Sequence, residues 1–235
     1  MKSDAAIQVS GLQAWYGASH VLHGVDLHVR PGEVVTLLGR NGAGRTTTLR
    51  AIMGLLPRCE GSIRVNGQEV TGLAPHRVAR LGVGYCPEER GIFASLTTEE
   101  NLLLPPVVSE GGMPLSRIYE LFPNLLERRK SPGGRLSGGE QQMLALARIL
   151  RTGSRILLLD EITEGLAPVI VKSLAQVIKA LRKEAYTIVL VEQNFQFARR
   201  IADRHYVMDR GAVALEVHAS DLARRSADIE AMLGV

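Results

Sequence analysis

The chain has only two cysteines, Cys59 and Cys86, far apart and in no Cys-x-x-Cys pair. This excludes a disulfide framework and predicts two reduced thiols. No apolar run approaches the roughly 18 residues of a membrane-spanning helix. Met1-Lys2-Ser3-Asp4 leads into no signal-peptide core, so the chain is expected in the cytosol, meeting a membrane only at its inner face. The six histidines are scattered; His20 and His23 stand three apart, but no second ligand pair accompanies them, so ordinary surface histidines explain them more simply than a metal site. The net charge of +4 is modest, and no zinc finger, helix-turn-helix or basic-aromatic stripe supports a nucleic-acid partner. Internal repeats, a low-complexity tail and heptad runs are also missing. What remains is an ordinary globular composition, 46% hydrophobic and 22% charged, in 235 residues, enough for one large domain or two small ones.

Against that plain background one stretch stands out. Gly39-Arg40-Asn41-Gly42-Ala43-Gly44-Arg45-Thr46 fits the phosphate-binding pattern G-x-x-x-x-G-K-[ST] at every position except the lysine, which is Arg45. The β-like run Glu33 to Leu38 precedes it. A helical run with Leu49, Ile52 and Met53 at i, i+3, i+4 follows, and Thr47 joins Gly39 to Thr46 as a candidate nucleotide-binding residue. This is the strand–loop–helix setting in which glycine-rich backbone turns its amides inward on phosphate oxygens, at the positive start of a helix.

Elsewhere the pattern predicts an α/β sheet with an antiparallel edge. Val25, Leu27 and Val29 alternate with Asp26, His28 and Arg30 as in a half-buried antiparallel strand, and Pro31-Gly32 makes a turn. Residues from about Gly61 to Val83 read as a short hairpin and a helix around Pro75. Prolines, glycines and charges from Arg90 to about Arg135 separate two short helical segments, and residues 90–150 read as a helical subdomain inserted in a single domain, 1–235. Met143, Leu146, Ala147 and Leu150 mark one amphipathic helix; Leu174, Val177, Ile178 and Leu181 mark another. Ile156–Leu159 and Thr187–Val191 are continuous apolar strands of the kind buried on both faces of a parallel sheet. Met208 to Ala212 reads as a hairpin turn.

Two further constellations carry chemistry. Asp160-Glu161 ends a buried strand; beside a phosphate loop, Asp160 is placed to hold Mg²⁺ together with the Thr46 hydroxyl, and Glu161 to polarise a water attacking a γ-phosphate. The alternative is a strand that merely ends in solubilising charge. Leu136-Ser137-Gly138-Gly139-Glu140 opens the Met143 helix, exposing bare amides and a hydroxyl at a positive helix end. Its alternative is a plain helix cap.

In that order and spacing, phosphate loop, Leu-Ser-Gly-Gly-Glu and apolar-strand Asp-Glu resemble the nucleotide-binding domain of ABC transporters over essentially the whole chain. Phe122-Pro123-Asn124-Leu125-Leu126-Glu127-Arg128-Arg129, Gln141 to Ala145, Glu164-Gly165-Leu166-Ala167-Pro168, Val191-Glu192-Gln193-Asn194 and Leu233-Gly234-Val235 are similar to the second ATP-binding subunit of branched-chain amino-acid importers, the LivF type. The resemblance implies a P-loop NTPase fold of ABC type, ATP and Mg²⁺ as cofactors, and Tyr16 stacking on adenine, although an aromatic capping a strand end remains open. It also implies a Mg²⁺ contact at Glu88 and a γ-phosphate contact at Gln193. It further implies a head-to-tail pairing with a second ATP-binding subunit. Each ATP then lies between one chain's loop and the other's Leu-Ser-Gly-Gly. Two membrane permease subunits and, indirectly, a solute-binding protein complete the assembly, with this chain peripheral on the cytoplasmic face of the inner membrane.

Two residues depart from the family. Arg45 keeps the lysine's charge on a wider, planar group, and predicts weakened nucleotide binding or slowed hydrolysis at the site built on this loop. Ile162 replaces the proline usual after Asp-Glu. A urea-type importer, a lipopolysaccharide-exporter ATPase and an ATP-dependent clamp with little hydrolysis stay open as alternatives.

Overall fold

A computed structural model describes residues 5–234. Met1-Lys2-Ser3-Asp4 and the terminal Val235, both read above, lie outside them. The chain opens with β1 (Ile7–Tyr16) and β2 (Ser19–Val29), an antiparallel pair in which Val25, Leu27 and Val29 are buried as their alternation predicts. Next come β3 (Val34–Gly39), α1 (Arg45–Ile52), β4 (Arg58–Val65), β5 (Gln68–Glu69), α2 (Pro75–Ala79) and β6 (Val83–Cys86). Three helices follow, α3 (Thr98–Leu103), α4 (Leu115–Leu121) and α5 (Pro123–Glu127), where the sequence predicts two. Pro123 makes the difference. It cannot continue α4 but starts α5 as its first residue. The chain closes with α6 (Gly138–Arg151), β7 (Ile156–Asp160), α7 (Pro168–Lys183), β8 (Thr187–Val191), α8 (Phe195–Ala198), β9 (Arg204–Asp209), β10 (Ala212–His218) and α9 (Leu222–Leu233).

The strands form two sheets. One is antiparallel, ordered β2-β1-β4-β5; the other is ordered β10-β9-β3-β8-β7-β6. In the second, β9, β3, β8, β7 and β6 run parallel and only β10 is antiparallel, folded back by a two-residue turn at Arg210-Gly211. The parallel strands explain their own unbroken apolar text. Leu158, Val189 and Val191 face the antiparallel sheet and α1. Their neighbours Leu157, Leu159, Ile188 and Leu190 face the opposite layer with α6, α7 and the short helices. Each buried Val, Leu or Ile contributes about 1.5–3 kcal/mol. With both faces covered, β7 stays apolar until its end, where Asp160 appears; of the polar side chains buried within the same sheet, Thr36 of β3 and His205 of β9 hydrogen-bond each other.

Candidate nucleotide cleft

The functional side chains gather where parallel strands end, the usual ligand edge of such a sheet. β3 delivers the glycine loop, β7 delivers Asp160 and Glu161, β8 delivers Gln193, and β6 delivers Glu88 after Pro87. Asn41, Gly42, Ala43, Gly44, Arg45, Thr46, Thr47, Glu88, Glu161 and Gln193 line one cleft of about 350 Å³. Gly39 and Arg40 do not line it, and Asp160 is fully buried beneath it. A larger groove, about 700 Å³, lies at the far end of β1 and β2 around Gln8, Asp26, His28 and Arg30, with none of these groups.

Close packing fixes the loop. A Cβ on Gly39 would lie 2.6 Å from the Met208 carbonyl oxygen, and one on Gly44, at φ +99°, would lie 2.6 Å from Leu22 Cδ2. The tip of the β9–β10 hairpin is wedged against the same loop. Gly211 donates its amide to the Ala43 carbonyl (3.0 Å), and its own carbonyl accepts from the His23 amide of β2 (2.8 Å). Helix α1 then begins with no side-chain cap and no acidic residue in its first turn. Its first amides are left for an anion.

Arg45 is almost wholly buried. Its Nη2 donates to Glu161 Oε1 (2.8 Å) and to Asn41 Oδ1 (3.2 Å), while its Nη1 is buried with no hydrogen-bond partner. Burial lowers its pKa, against the pull of Glu161 and Asp160. Gln193 Nε2 donates to the other oxygen of Glu161 (3.0 Å). Glu161 itself sits at φ +47°, in the left-handed region, with its amide on the Val191 carbonyl (2.9 Å). The unexpected Ile162 is buried beside it in the helical-layer core.

Asp160 accepts from the Thr46 hydroxyl and from the Tyr85 hydroxyl, each at 3.0 Å. Burial raises its pKa despite those bonds, with the Glu161 and Glu88 charges adding to the rise. Glu164 is pushed up to about 6, first by its hydrogen bond with Glu161. Glu88, Asp160, Glu161 and Glu164 stand against one arginine, so the site is rich in carboxylates. Among the described residues no three His, Cys, Asp or Glu side chains form a ready metal cage.

The remaining sequence-predicted residues lie outside the cleft. Tyr16 is the last residue of β1 and is 40% exposed; its hydroxyl, after that of Tyr85, raises the pKa of Arg50. Leu136, Ser137, Gly138, Gly139 and Glu140 do not line the cleft either. Ser137 is the N-cap of α6 in a reciprocal box: its Oγ accepts the Glu140 amide (3.3 Å) and its amide donates to Glu140 Oε2 (2.7 Å). The plain-cap alternative is thus a real part of this segment's structure. Gly139 packs under Ile170 at the start of α7.

Sequence reasoning missed Glu164, Val21, Tyr85 and Glu192. Glu164 and Val21 line the cleft. Glu192 is buried and accepts from the Thr163 hydroxyl (2.7 Å) and amide (3.2 Å), clasping the loop after Glu161 to the end of β8. A carboxylate directly after four apolar residues, Ile188 to Val191, was the available signal for Glu192; Tyr85 stands in an apolar strand with no such mark.

The family described as ABC transporter matches residues 22–164. The chain belongs to the ABC transporter family. This ABC cassette is 39% identical over 226 residues to the high-affinity branched-chain amino acid transport ATP-binding protein BraG of Pseudomonas aeruginosa, covering 95% of this chain and 97% of that one. It is 38% identical to a probable branched-chain amino acid transport ATP-binding protein, LivF, of Archaeoglobus fulgidus, covering 90% and 91%. In fold it is similar to a bacterial ABC transporter cassette solved as a dimer, with a TM-score of 0.79 and 25% identity over 91% of this chain and 98% of that one. The ABC-type P-loop fold, with its mixed sheets, and the ATPase class are those the sequence predicts. No helix among the described residues is long and apolar enough to cross a membrane.

Proposed function

We propose that this chain is the ATP-binding subunit of a branched-chain amino-acid importer, bound to the cytoplasmic face of the inner membrane by two permease subunits. The near full-length likeness to BraG carries the reading. The cleft supports it, because its groups fit a nucleoside triphosphate: a buried guanidinium nitrogen without an acceptor, an uncapped helix start, and a hydroxyl–carboxylate pair suited to a hard cation. The loop amides and Arg45 would hold the phosphates, Thr46 and Asp160 with Glu88 would hold Mg²⁺, and Tyr16 would face adenine. ATP with Mg²⁺ supplies the scissile phosphoanhydride whose cleavage drives transport. Glu161, hydrogen-bonded by Gln193, stands where a base for the attacking water would act, and the Arg45 bond to it slows that step in this chain's own cleft.

Residues 1–235 serve as one nucleotide-binding domain, with 90–150 as its helical part. Ser137 to Glu140 face a second ATP-binding subunit's nucleotide in a head-to-tail dimer. Phe93, Leu103, Leu104 and Val107 stay exposed on the helical side, and we assign this apolar surface to the permeases. Deleting the gene should abolish ATP-driven uptake of radiolabelled leucine, isoleucine and valine, and a plasmid copy should restore it. Unchanged uptake of all three in the deletion strain overturns the reading.

A further inference from the structure

We infer that Arg45 makes this chain's own cleft a holding site, which grips ATP with one guanidinium nitrogen while the other withholds Glu161 from water. The inference rests on the proposal that the cleft binds ATP. It starts from an occupied carboxylate. Glu161 Oε1 takes the bond from Arg45 Nη2 at 2.8 Å, and Oε2 takes the bond from Gln193 Nε2 at 3.0 Å. Each oxygen that would receive a proton from water already takes one donor from this chain, and the Arg45 charge held against Oε1 weakens the carboxylate's pull on that proton. The ion pair is enclosed, with the two side chains only 4% and 10% exposed. It is therefore screened far less than a surface pair.

The second half of the argument is the unused nitrogen. Arg45 Nη1 is buried in the wall of the cleft with no acceptor. An unsatisfied buried donor is unfavourable, and a phosphate oxygen is the partner the rest of the loop is shaped to bring. A planar guanidinium has separate nitrogens for the two tasks, so phosphate at Nη1 need not release Glu161 from Nη2. A lysine ammonium concentrates its donors on one atom, and phosphate would draw it away from the carboxylate. Arginine at this position thus preserves the grip and suppresses the chemistry.

The test uses the full chain assembled with its partner subunits. Azido-ATP, labelled at either the α or the γ phosphate, is bound with Mg²⁺ and photocrosslinked, and the label on this subunit's band is counted. A γ-to-α ratio near one after prolonged incubation means intact ATP. Wild type should bind ATP and keep that ratio high. Arg45→Lys should bind within a few-fold of wild type yet lose γ label about 100-fold faster, the scale of a restored general base. Adding Glu161→Gln to Arg45→Lys should cancel the gain. In the nucleotide-free chain, Arg45→Met should lower the melting temperature and Arg45→Met with Glu161→Leu should recover it.

Wild type losing γ label as fast as Arg45→Lys overturns the inference. So does a wild-type chain that fails to bind ATP where Arg45→Lys binds, which would make the arginine an obstruction, and so does the absence of coupling between Arg45 and Glu161 in the nucleotide-free chain. If neither form binds ATP, the proposed function falls as well, and the two failures are told apart by that affinity.

Discussion

Glu192 shows how one residue can link the cleft to pH. Burial pushes its carboxyl up to about 7 from an ordinary 4.5, although Thr163 and the Asn194 amide hydrogen-bond it. Between those two values the folded chain keeps a proton there that the unfolded chain has released. The group's contribution to stability is full below pH 4.5 and is lost as pH rises to 7. Glu192→Gln does not titrate. Its urea midpoint should therefore fall less than wild type's across that window, and parallel slopes would show that Glu192 carries no such linkage. Residues of this kind divide what can be read from text. The glycine spacing of 39–46 is local, so the loop was visible in the sequence. Arg45 was visible as an oddity, but its partner Glu161 is 116 positions away, and Tyr85 lies 75 positions from Asp160. Nothing short-range in the sequence encodes either contact.

Among the elements, α6 has two demands on its first turn. As a cap, Ser137 satisfies the Glu140 amide, so Ser137→Ala should cost about 1 kcal/mol of stability, read by chemical denaturation. Ser137→Asp retains a capping oxygen and should melt near wild type. It also sets a negative charge where a partner's phosphates are proposed to lie, and leucine uptake should be lost. Uptake preserved in Ser137→Asp would leave the cap as this serine's whole role. Helix faces and strand periods were legible here because burial follows local periodicity: the four α7 residues picked by spacing are its buried ones. The break between α4 and α5 was not, because it depends on how Pro123 is used once Phe122 is buried.

At the scale of the whole molecule, the two sheets are tied by a buried arginine. Arg204 of β9 holds Glu33 through two nitrogens (2.8 and 3.1 Å), Glu216 of β10 (2.8 Å), and the His28 carbonyl of β2 (2.7 Å). Its side chain is fully buried, Glu33 is 9% exposed and Glu216 is 40% exposed. Glu33→Ala should cost about 3 kcal/mol by removing the buried partner of Arg204 and leaving only the half-exposed Glu216 to balance it, and Glu216→Ala about 1 kcal/mol or less, both measured by urea unfolding. Equal losses would mean that exposure does not set the balance. The alternation of β2 in the sequence told of one buried face, but not that this face would pack on a second sheet.

The wedge at Gly211 has a consequence for how this chain can vary. Hairpin tips are ordinarily where a protein accepts extra residues. This tip is spoken for on both its amide and its carbonyl, one side by Ala43 and the other by His23. A lengthened turn between Asp209 and Ala212 would leave every charged group around the nucleotide in place and yet unmoor the floor beneath it. The least conspicuous bend in the chain is thus among the least free to drift.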